Sequence, residues 1–312
     1  LPKVKKQEWN PQPQIKSKTI GPFSWNEALK PEFDAAASFS PSQTSAKSFR
    51  NAGFGTVLAF RNDGIVRGSS CIVSLGEGSA QKELLKPRAM SHYAFSKGSS
   101  KQSYPNSFMG AIALLRQSIY DAIWAHHNRD QRNISLTALH NNLKLKPVIE
   151  IDNHNAIRNA LDLSKEFKMN FIIKGSGDEY LSLSGLGEAQ FIIPVNFPEA
   201  YDVSDPYESL NLSLEKMKHW ELAPANAALI ASKDVEFAFT AFGLNNTEDF
   251  LDKIKSCVKH GLSEETALRA LTSVPAKMLG ISDLYGSLKK GMKANFIVCE
   301  KNLFHSKNKI LE

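Results

Sequence analysis

The stretch that decides the fold is Thr266-Ala-Leu-Arg-Ala-Leu-Thr-Ser-Val-Pro-Ala-Lys-Met-Leu-Gly280, followed by Gly286-Ser-Leu-Lys-Lys-Gly-Met-Lys-Ala-Asn-Phe-Ile-Val298. Pro275 stands where a helix begins and Gly280 where one ends, which are the positions at which helices tolerate these residues. The stretch therefore predicts two short helices and then a final apolar strand over Ala294–Cys299.

Upstream of this stretch, short apolar runs alternate with amphipathic segments. Continuous apolar strands separated by helices are typical of a parallel sheet covered by helices on its faces. Met109–Ala125 is the clearest helix, because its apolar residues recur at helical spacing. A closed (β/α)8 barrel needs eight strands, and a doubly wound open sheet is the alternative, although no GxGxxG follows the first strand. The six predicted core strands are 55–60, 90–95, 148–151, 170–173, 191–195 and 235–240.

The C-terminal stretch resembles the closing segment of the amidohydrolase superfamily, where "T-x-x-P-A-x-x-L-G" precedes "G-S/T-I-x-x-G-x-x-A-D-L/F-V-V". Asn295 stands at the acidic position of the second motif. Met109-Gly-Ala-Ile-Ala-Leu-Leu-Arg116 and the segment 155–173 are similar to the imidazolonepropionase-related branch. The resemblance covers residues 50–300 loosely and 235–300 well. It implies an α/β fold of the TIM-barrel type, incomplete at its first strand, with a remnant of a small β-sandwich at the C-terminus.

We expect three parts in the chain. Residues 1–50 form an irregular arm, because prolines punctuate its polar stretches, with a short helix near Asn26–Leu29. Residues 51–282 form the barrel, and residues 283–312 form the β-sandwich remnant. The predicted final strand would have an unpaired apolar edge, which invites pairing with another chain. We therefore expect either a homodimer through this edge or a C-terminus that is disordered beyond about residue 300.

A loop rich in glycine, serine and lysine, Ser96–Ser103, follows the strand 90–95. Its backbone N–H groups could cradle an anion. The loop lacks the full GxxxxGK[ST] order of a phosphate-binding loop, so a plain solvated loop is the alternative.

The resemblance implies hydrolysis of C–N bonds by one or two divalent metals, such as zinc, at the C-terminal mouth of the barrel. The ligands that it implies are an HxH after the first strand, a His after the fifth and the sixth strands, and an Asp after the last. No HxH is present, and the adjacent side chains of His126-His127 diverge. Gly175 stands at the sixth-strand position, beside the positive charge of Lys174, and Phe242 stands at the position of the Asp.

At the fifth strand the sequence reads Glu150-Ile-Asp152, with His154 two residues later, where relatives have "H-A-H". We therefore expect no competent metal site, no catalytic residue and no cofactor in this chain. The remaining polar side chains at the mouth could bind a small polar ligand or act in metal-free acid–base chemistry. Alternatively, they are a helix cap and a surface lysine. These candidate residues are His92, Glu150, Asp152, His154, Lys174 and Asp178.

Three functions remain open at this point. The first is an inactive amidohydrolase-like domain with a structural or partner-binding role in a longer protein. The second is an active hydrolase that is completed by segments outside this chain. The third is a metal-free barrel that binds a small molecule.

Composition excludes several classes of partner. The net charge is +6 and the pI about 9.0, but the lysines are dispersed and no nucleic-acid motif accompanies them. No apolar stretch approaches the roughly 20 residues of a membrane span. The three cysteines are far apart and form no disulfide framework. The chain begins at Leu1 without a visible targeting segment, so we expect a trimmed or processed product, with the compartment open between cytoplasm and periplasm.

Overall fold

The computed structural model describes residues 17–128 and 132–305. Within these residues, none of the helices is both long and apolar enough to cross a bilayer. The strands are β1 (Thr56–Ala59), β2 (Val66–Ser69), β3 (Cys71–Ser74), β4 (Leu84–Lys86), β5 (Met90–Ala94), β6 (Lys146–Glu150), β7 (Ile172–Lys174), β8 (Gln190–Pro194) and β9 (Phe237–Thr240). The helices are α1 (Ala35–Ser38), α2 (Gln43–Asn51), α3 (Ala80–Glu83), α4 (Phe108–His127), α5 (Ile134–Asn142), α6 (Ala156–Phe167), α7 (Pro206–Leu210), α8 (Leu214–Leu222), α9 (Asn226–Ala231), α10 (Phe250–Lys259), α11 (Glu264–Leu271) and α12 (Ser273–Leu279). Short 3-10 segments lie at Glu179–Gly185, Ala223–Ala225 and Thr247–Asp249.

The core of the molecule is a mixed sheet of six strands in the order β2-β5-β6-β7-β8-β9. β2 pairs antiparallel with β5, and each later pair is parallel. Neighbouring residues of the parallel strands are buried on opposite faces. Val148 and Ile172 belong to one cluster of buried side chains, whereas Ile149 and Ile173 belong to the other. Burial on both faces explains why these strands read as continuous apolar runs.

Five of the six predicted core strands are confirmed, with shifted ends. The prediction for residues 55–60 is wrong, because β1 pairs with β3 in a separate antiparallel sheet of order β1-β3-β4. All four residues of β1 are half-buried, as suits a small sheet at the side of the core. Its place in the core sheet is taken by β2, whose polar sequence Val-Arg-Gly-Ser is nevertheless fully buried.

The sheet is open over the described part of the chain. β9 is hydrogen-bonded to β8 alone among the strands, so the sheet does not close on itself. The α/β class is therefore confirmed. The described strands form a mixed open sheet and not a closed TIM-type barrel.

The N-terminal arm, described from residue 17, lies along the outer edge of β2, to which two isolated parallel bridges join it. The helix predicted near Asn26–Leu29 is wrong, because this segment is a turn in which the Leu29 N–H donates to the Asn26 carbonyl at 3.1 Å. The buried Asn26 side chain also donates to the carbonyl of Tyr104 at 2.9 Å. Its Oδ1 accepts from the Ala28 N–H at 2.9 Å, and local side-chain bonds of this kind compete with helical ones.

The C-terminal stretch folds partly as predicted. α11 and α12 are the two expected helices, and Gly280 ends α12 with φ of 66°, a conformation that favours glycine. The strand predicted at Ala294–Cys299 is not formed, and none of the described residues after 282 belongs to a named strand. Asn295 Nδ2 instead donates to the Gly55 carbonyl at 3.4 Å, which places this segment beside β1.

Candidate functional site

Polar side chains gather where the parallel strands end. In the sheet register Glu150, the last residue of β6, lies opposite Lys174, the last residue of β7. β5 is the neighbour of β6 on the other side, and it contributes His92. Glu150 and Lys174 meet because the carboxyl ends of parallel strands lie at one edge. His92 is paired with Val148, two residues before Glu150, and therefore lies on the same face of the sheet.

A cluster of three ionisable side chains occupies the centre of this edge. The Glu150 carboxylate accepts hydrogen bonds from Lys174 Nζ at 2.5 Å and from Arg67 Nη1 at 3.2 Å. Lys174 and Arg67 are only 6% and 5% exposed, so the alternative of a surface lysine is wrong. Burial by itself raises the pKa of Glu150, but the charges of Arg67 and Lys174 outweigh it and lower that pKa. The carboxylate is therefore held in its ionised form, with both cations bonded to its Oε2 atom.

Two phenylalanines cover this ion cluster. Lys174 Nζ lies 3.2 Å from the ring centroid of Phe242 and 5.6 Å from that of Phe60. The Phe60 ring stacks on His92 with 4.3 Å between centroids. Cation–π contacts of this kind favour an ammonium group over the ring faces. The resemblance implies a catalytic Asp at position 242. The residue there is Phe242, and its ring contacts the ammonium group of Lys174.

His92 is a buried neutral imidazole at this site. Its pKa is lowered to about 3 by burial and by the charges of Arg67 and Lys174. Its Nε2 is buried and has no hydrogen-bond partner among the described residues. Since a buried polar atom without a partner is costly, His92 Nε2 marks a point of this site where a further hydrogen bond could be made.

A second pair lies in the loops after β6 and β7. His154 Nδ1 lies 2.9 Å from Asp178 Oδ2, and the backbone N–H of His154 donates to the same oxygen at 3.1 Å. Ser176 Oγ donates to the other oxygen, Asp178 Oδ1. Burial raises the pKa of Asp178, but the hydrogen bonds from Ser176 and His154 outweigh it and lower that pKa. The predicted Asp152 lies nearby in sequence but is exposed and outside these bonds.

The backbone at Gly175 explains why no larger residue stands there. A Cβ on Gly175 would lie 1.9 Å from Glu179 Oε1. Glu179 is fully buried and accepts hydrogen bonds from Ser176 N at 2.7 Å, from Gly177 N at 3.0 Å and from Asn226 Nδ2 at 2.6 Å. A histidine ligand at position 175 would have to displace this carboxylate.

The side chains at the mouth can be compared with the donors that a divalent metal requires. Among the described residues no three His, Cys, Asp or Glu side chains are placed to hold one ion. The carboxylate of Glu150 is bound by two cations, and the residues at the positions implied for the ligand and the base are glycine and phenylalanine. Arg67 and Phe60 were missed by sequence reasoning, because they reach the site through contacts distant in sequence. Glu179 was missed as well, although two of its partners, Ser176 and Gly177, are close in sequence.

The glycine-serine loop does cradle an anion, and the anion is the protein's own Asp63. Its carboxylate accepts from Ser99 N at 2.7 Å and from Ser99 Oγ at 2.8 Å, and it pairs with Lys30. Burial raises the pKa of Asp63, but the bonds from Lys30 and Ser99 outweigh it and hold that pKa far below its usual value. Gly98 approaches the same carboxylate so closely that a Cβ there would clash with it.

Comparison with known proteins relates part of the chain to a family. The amidohydrolase family sequence profile matches residues 209–311. A crystal structure of an amidohydrolase from Thermotoga maritima MSB8 is similar with a TM-score of 0.75 and 19% identity, over 91% of this chain and 77% of that chain. An uncharacterized metal-dependent hydrolase from Pyrococcus furiosus is similar with a TM-score of 0.37 and 19% identity, over 55% of this chain and 36% of that chain. No curated protein sequence matches. The amidohydrolase resemblance is confirmed, and the first structure supports the fold.

Proposed function

We propose that this chain is an amidohydrolase-like barrel domain that does not perform metal-dependent hydrolysis and serves as a structural or binding module. The observation that carries the proposal is the buried Lys174–Glu150 ion pair capped by Phe242. The protein's own ammonium group lies at the mouth, where the resemblance implies a metal. The open sheet is then the larger part of a TIM-type barrel, an interpretation supported by the extent of the Thermotoga likeness.

Electrostatics favour this interpretation. A divalent ion 4 Å from one unit charge of the same sign is repelled by about 8 kcal/mol at an effective dielectric constant of about 20. Lys174 and Arg67 both carry such a charge, and among the described residues Glu150 is the carboxylate paired with them. A metal bound to this carboxylate would lie beside both positive charges.

Metal analysis tests the proposal. The protein is purified without chelator from medium supplemented with zinc, manganese and iron, and its metal content is measured by mass spectrometry. We expect well under one ion per chain, and no rise in Tm when zinc is added. Stoichiometric metal that is lost in both Glu150→Gln and His92→Ala would overturn the proposal. Metal that persists in both variants lies elsewhere and leaves the mouth metal-free.

A second candidate function is metal-free acid–base chemistry, which the His154–Asp178 pair favours. An ionised aspartate that binds Nδ1 orients the imidazole and leaves Nε2 available as a base. Hydrolysis of p-nitrophenyl acetate distinguishes the candidates, with His260→Ala as a matched control because His260 is exposed and bonds its own helix. Activity that disappears in both His154→Ala and Asp178→Asn but persists in His260→Ala favours the second candidate. Equal rates in all variants favour the non-catalytic module.

A further inference from the structure

The ion cluster at the mouth carries an unbalanced positive charge. Arg67 and Lys174 are almost fully buried cations, and among the described residues Glu150 is the carboxylate that pairs with them. His92 adds no charge, because burial and the two cations lower its pKa to about 3. Two positive charges and one negative charge leave a surplus of one positive charge. Since a buried charge without a counterion is costly, this surplus favours an anion.

The two cations also have more hydrogen-bond donors than the protein uses. A guanidinium has five N–H donors and an ammonium group has three. Arg67 donates through Nε to the Gly64 carbonyl and through Nη1 to Asn62 and Glu150. Its Nη2 has no hydrogen-bond acceptor among the described residues, within which Lys174 Nζ has Glu150 as its acceptor. Unused donors favour a ligand that is rich in acceptors, and an ionised carboxylate offers acceptors alone.

His92 is an independent observation that points to a ligand. The residue is only 4% exposed, and its Nε2 has no hydrogen-bond partner among the residues that the structure describes. Its ring stacks on Phe60, whose own ring centroid lies 5.6 Å from Lys174 Nζ, so the imidazole borders the ion cluster. A neutral imidazole that carries its proton on Nε2 is a donor there. Buried polar atoms of folded proteins nearly always have a partner, so an acceptor at this point is expected.

We propose that the mouth binds a small monocarboxylate with an aromatic or other apolar body. The carboxylate balances the surplus charge and accepts hydrogen bonds from Arg67, Lys174 and His92. The planar fork of a guanidinium suits the two oxygens of such a group. The inference rests on the proposed function, because it takes the mouth to be free of metal. The same two charges that repel a divalent cation attract this anion.

The surroundings of the cluster define the ligand further. The side chain of Glu150 is 18% exposed and Phe242 is 46% exposed, so solvent reaches the cluster from this side. The rings of Phe242 and Phe60 offer apolar surface to the body of the ligand. A dianion such as hydrogen phosphate would bring an unbalanced negative charge next to Glu150. Benzoate is therefore a suitable probe, and benzamide is its uncharged match.

Titration of the full chain with benzoate, followed by NMR of the ligand, tests the inference. EDTA is present throughout, so that bound metal does not contribute. We expect a Kd between about 0.1 and about 10 mM, as suits so small a ligand. Benzamide and hydrogen phosphate should each bind at least about tenfold more weakly. Benzoate that does not bind, or that binds no better than benzamide or phosphate, would overturn the inference.

Two variants locate the anion. Lys174→Met removes the surplus charge and should abolish benzoate binding. His92→Phe keeps a ring beside Phe60 but removes the unpaired nitrogen, so it should raise the Tm and yet weaken benzoate binding by about tenfold. A purely structural role of His92 would not lower the affinity. His260→Phe is the matched control, because His260 is exposed and bonds its own helix, and it should bind as the parent does.

The variants also decide against the inference if they behave alike. Unchanged affinity in either Lys174→Met or His92→Phe would place the anion elsewhere and overturn it. His92→Phe changes no charge, and it decides the question by itself if Lys174→Met does not fold. Benzoate that binds only when zinc replaces EDTA would contradict the metal-free mouth and with it the proposed function. A chain that retains no zinc and binds no benzoate would overturn this inference alone.

Discussion

Gly175 shows at the scale of one residue how the backbone limits what the mouth can hold. Alanine at this position would place a Cβ 1.9 Å from Glu179 Oε1, and that carboxylate is fixed by three N–H donors. We expect Gly175→Ala to lower the free energy of unfolding by about 2 kcal/mol, as overpacking does. Gly185→Ala is the control, because nothing lies within 4 Å of a Cβ there. Urea unfolding measures both, and equal stabilities would refute the steric account.

Glu150 holds two buried cations, so its removal should be costly. We expect Glu150→Gln to lower the free energy of unfolding by about 3 kcal/mol at pH 7, because Arg67 and Lys174 would lose their charged partner. Glu166→Gln, which breaks the more exposed pair with Arg116, should cost at most about 1 kcal/mol. Urea unfolding of both variants would contradict this account if their losses were equal.

The same carboxylate gives a pH dependence whose sign follows from its pKa. Because the pKa of Glu150 is lower in the folded chain, its contribution is present above the ordinary value of 4.5 and is lost as the pH falls through the folded value. The stability difference between the parent and Glu150→Gln should therefore shrink on acidification below about pH 4.5. A difference that stays constant to the acid limit of folding would exclude this linkage.

Some residues of this site could be predicted because they lie in a recognisable local motif. Lys174 and Phe242 were identified because they follow predicted strands, and the structure brings both into contact. Arg67 and Glu179 were not, since nothing local distinguishes a buried charged side chain from one on the surface. Their roles depend on which strands and loops become neighbours.

At the scale of elements, Asp63 fixes the glycine-serine loop. Removing its carboxylate frees Lys30 and the Ser99 donors together. We expect Asp63→Ala to make the loop more accessible to trypsin at Lys97 and Lys101. Cleavage under native conditions should be at least several-fold faster, because fewer hydrogen bonds must break before the loop opens. Asp152→Ala, at an exposed carboxylate, is the control. Equal cleavage rates would show that Asp63 does not hold the loop.

Strands were predictable from apolar runs, but their partners were not. β5 to β9 are largely buried on both faces and were predicted from their apolar runs. β1 is apolar yet belongs to the side sheet, and β2 is polar yet lies in the core sheet. An apolar run predicts a buried strand, and a polar run predicts an exposed one. β2 is polar but buried, and its Arg67 forms an ion pair with Glu150 of β6, which no pattern within β2 could have indicated.

At the scale of the whole molecule, the net charge of +6 acts on the stability of the folded chain. Excess charge of one sign repels itself in the compact state, and salt screens this repulsion, with a Debye length of about 10 Å at 0.1 M. The buried ion pairs of Glu150 with Lys174 and Arg67 are screened much less. We therefore expect the free energy of unfolding, measured with urea, to rise modestly as NaCl is raised from about 0.05 to about 0.5 M. A free energy of unfolding that falls over this range would show that exposed ion pairs contribute more to stability than the net repulsion costs, and would contradict this account.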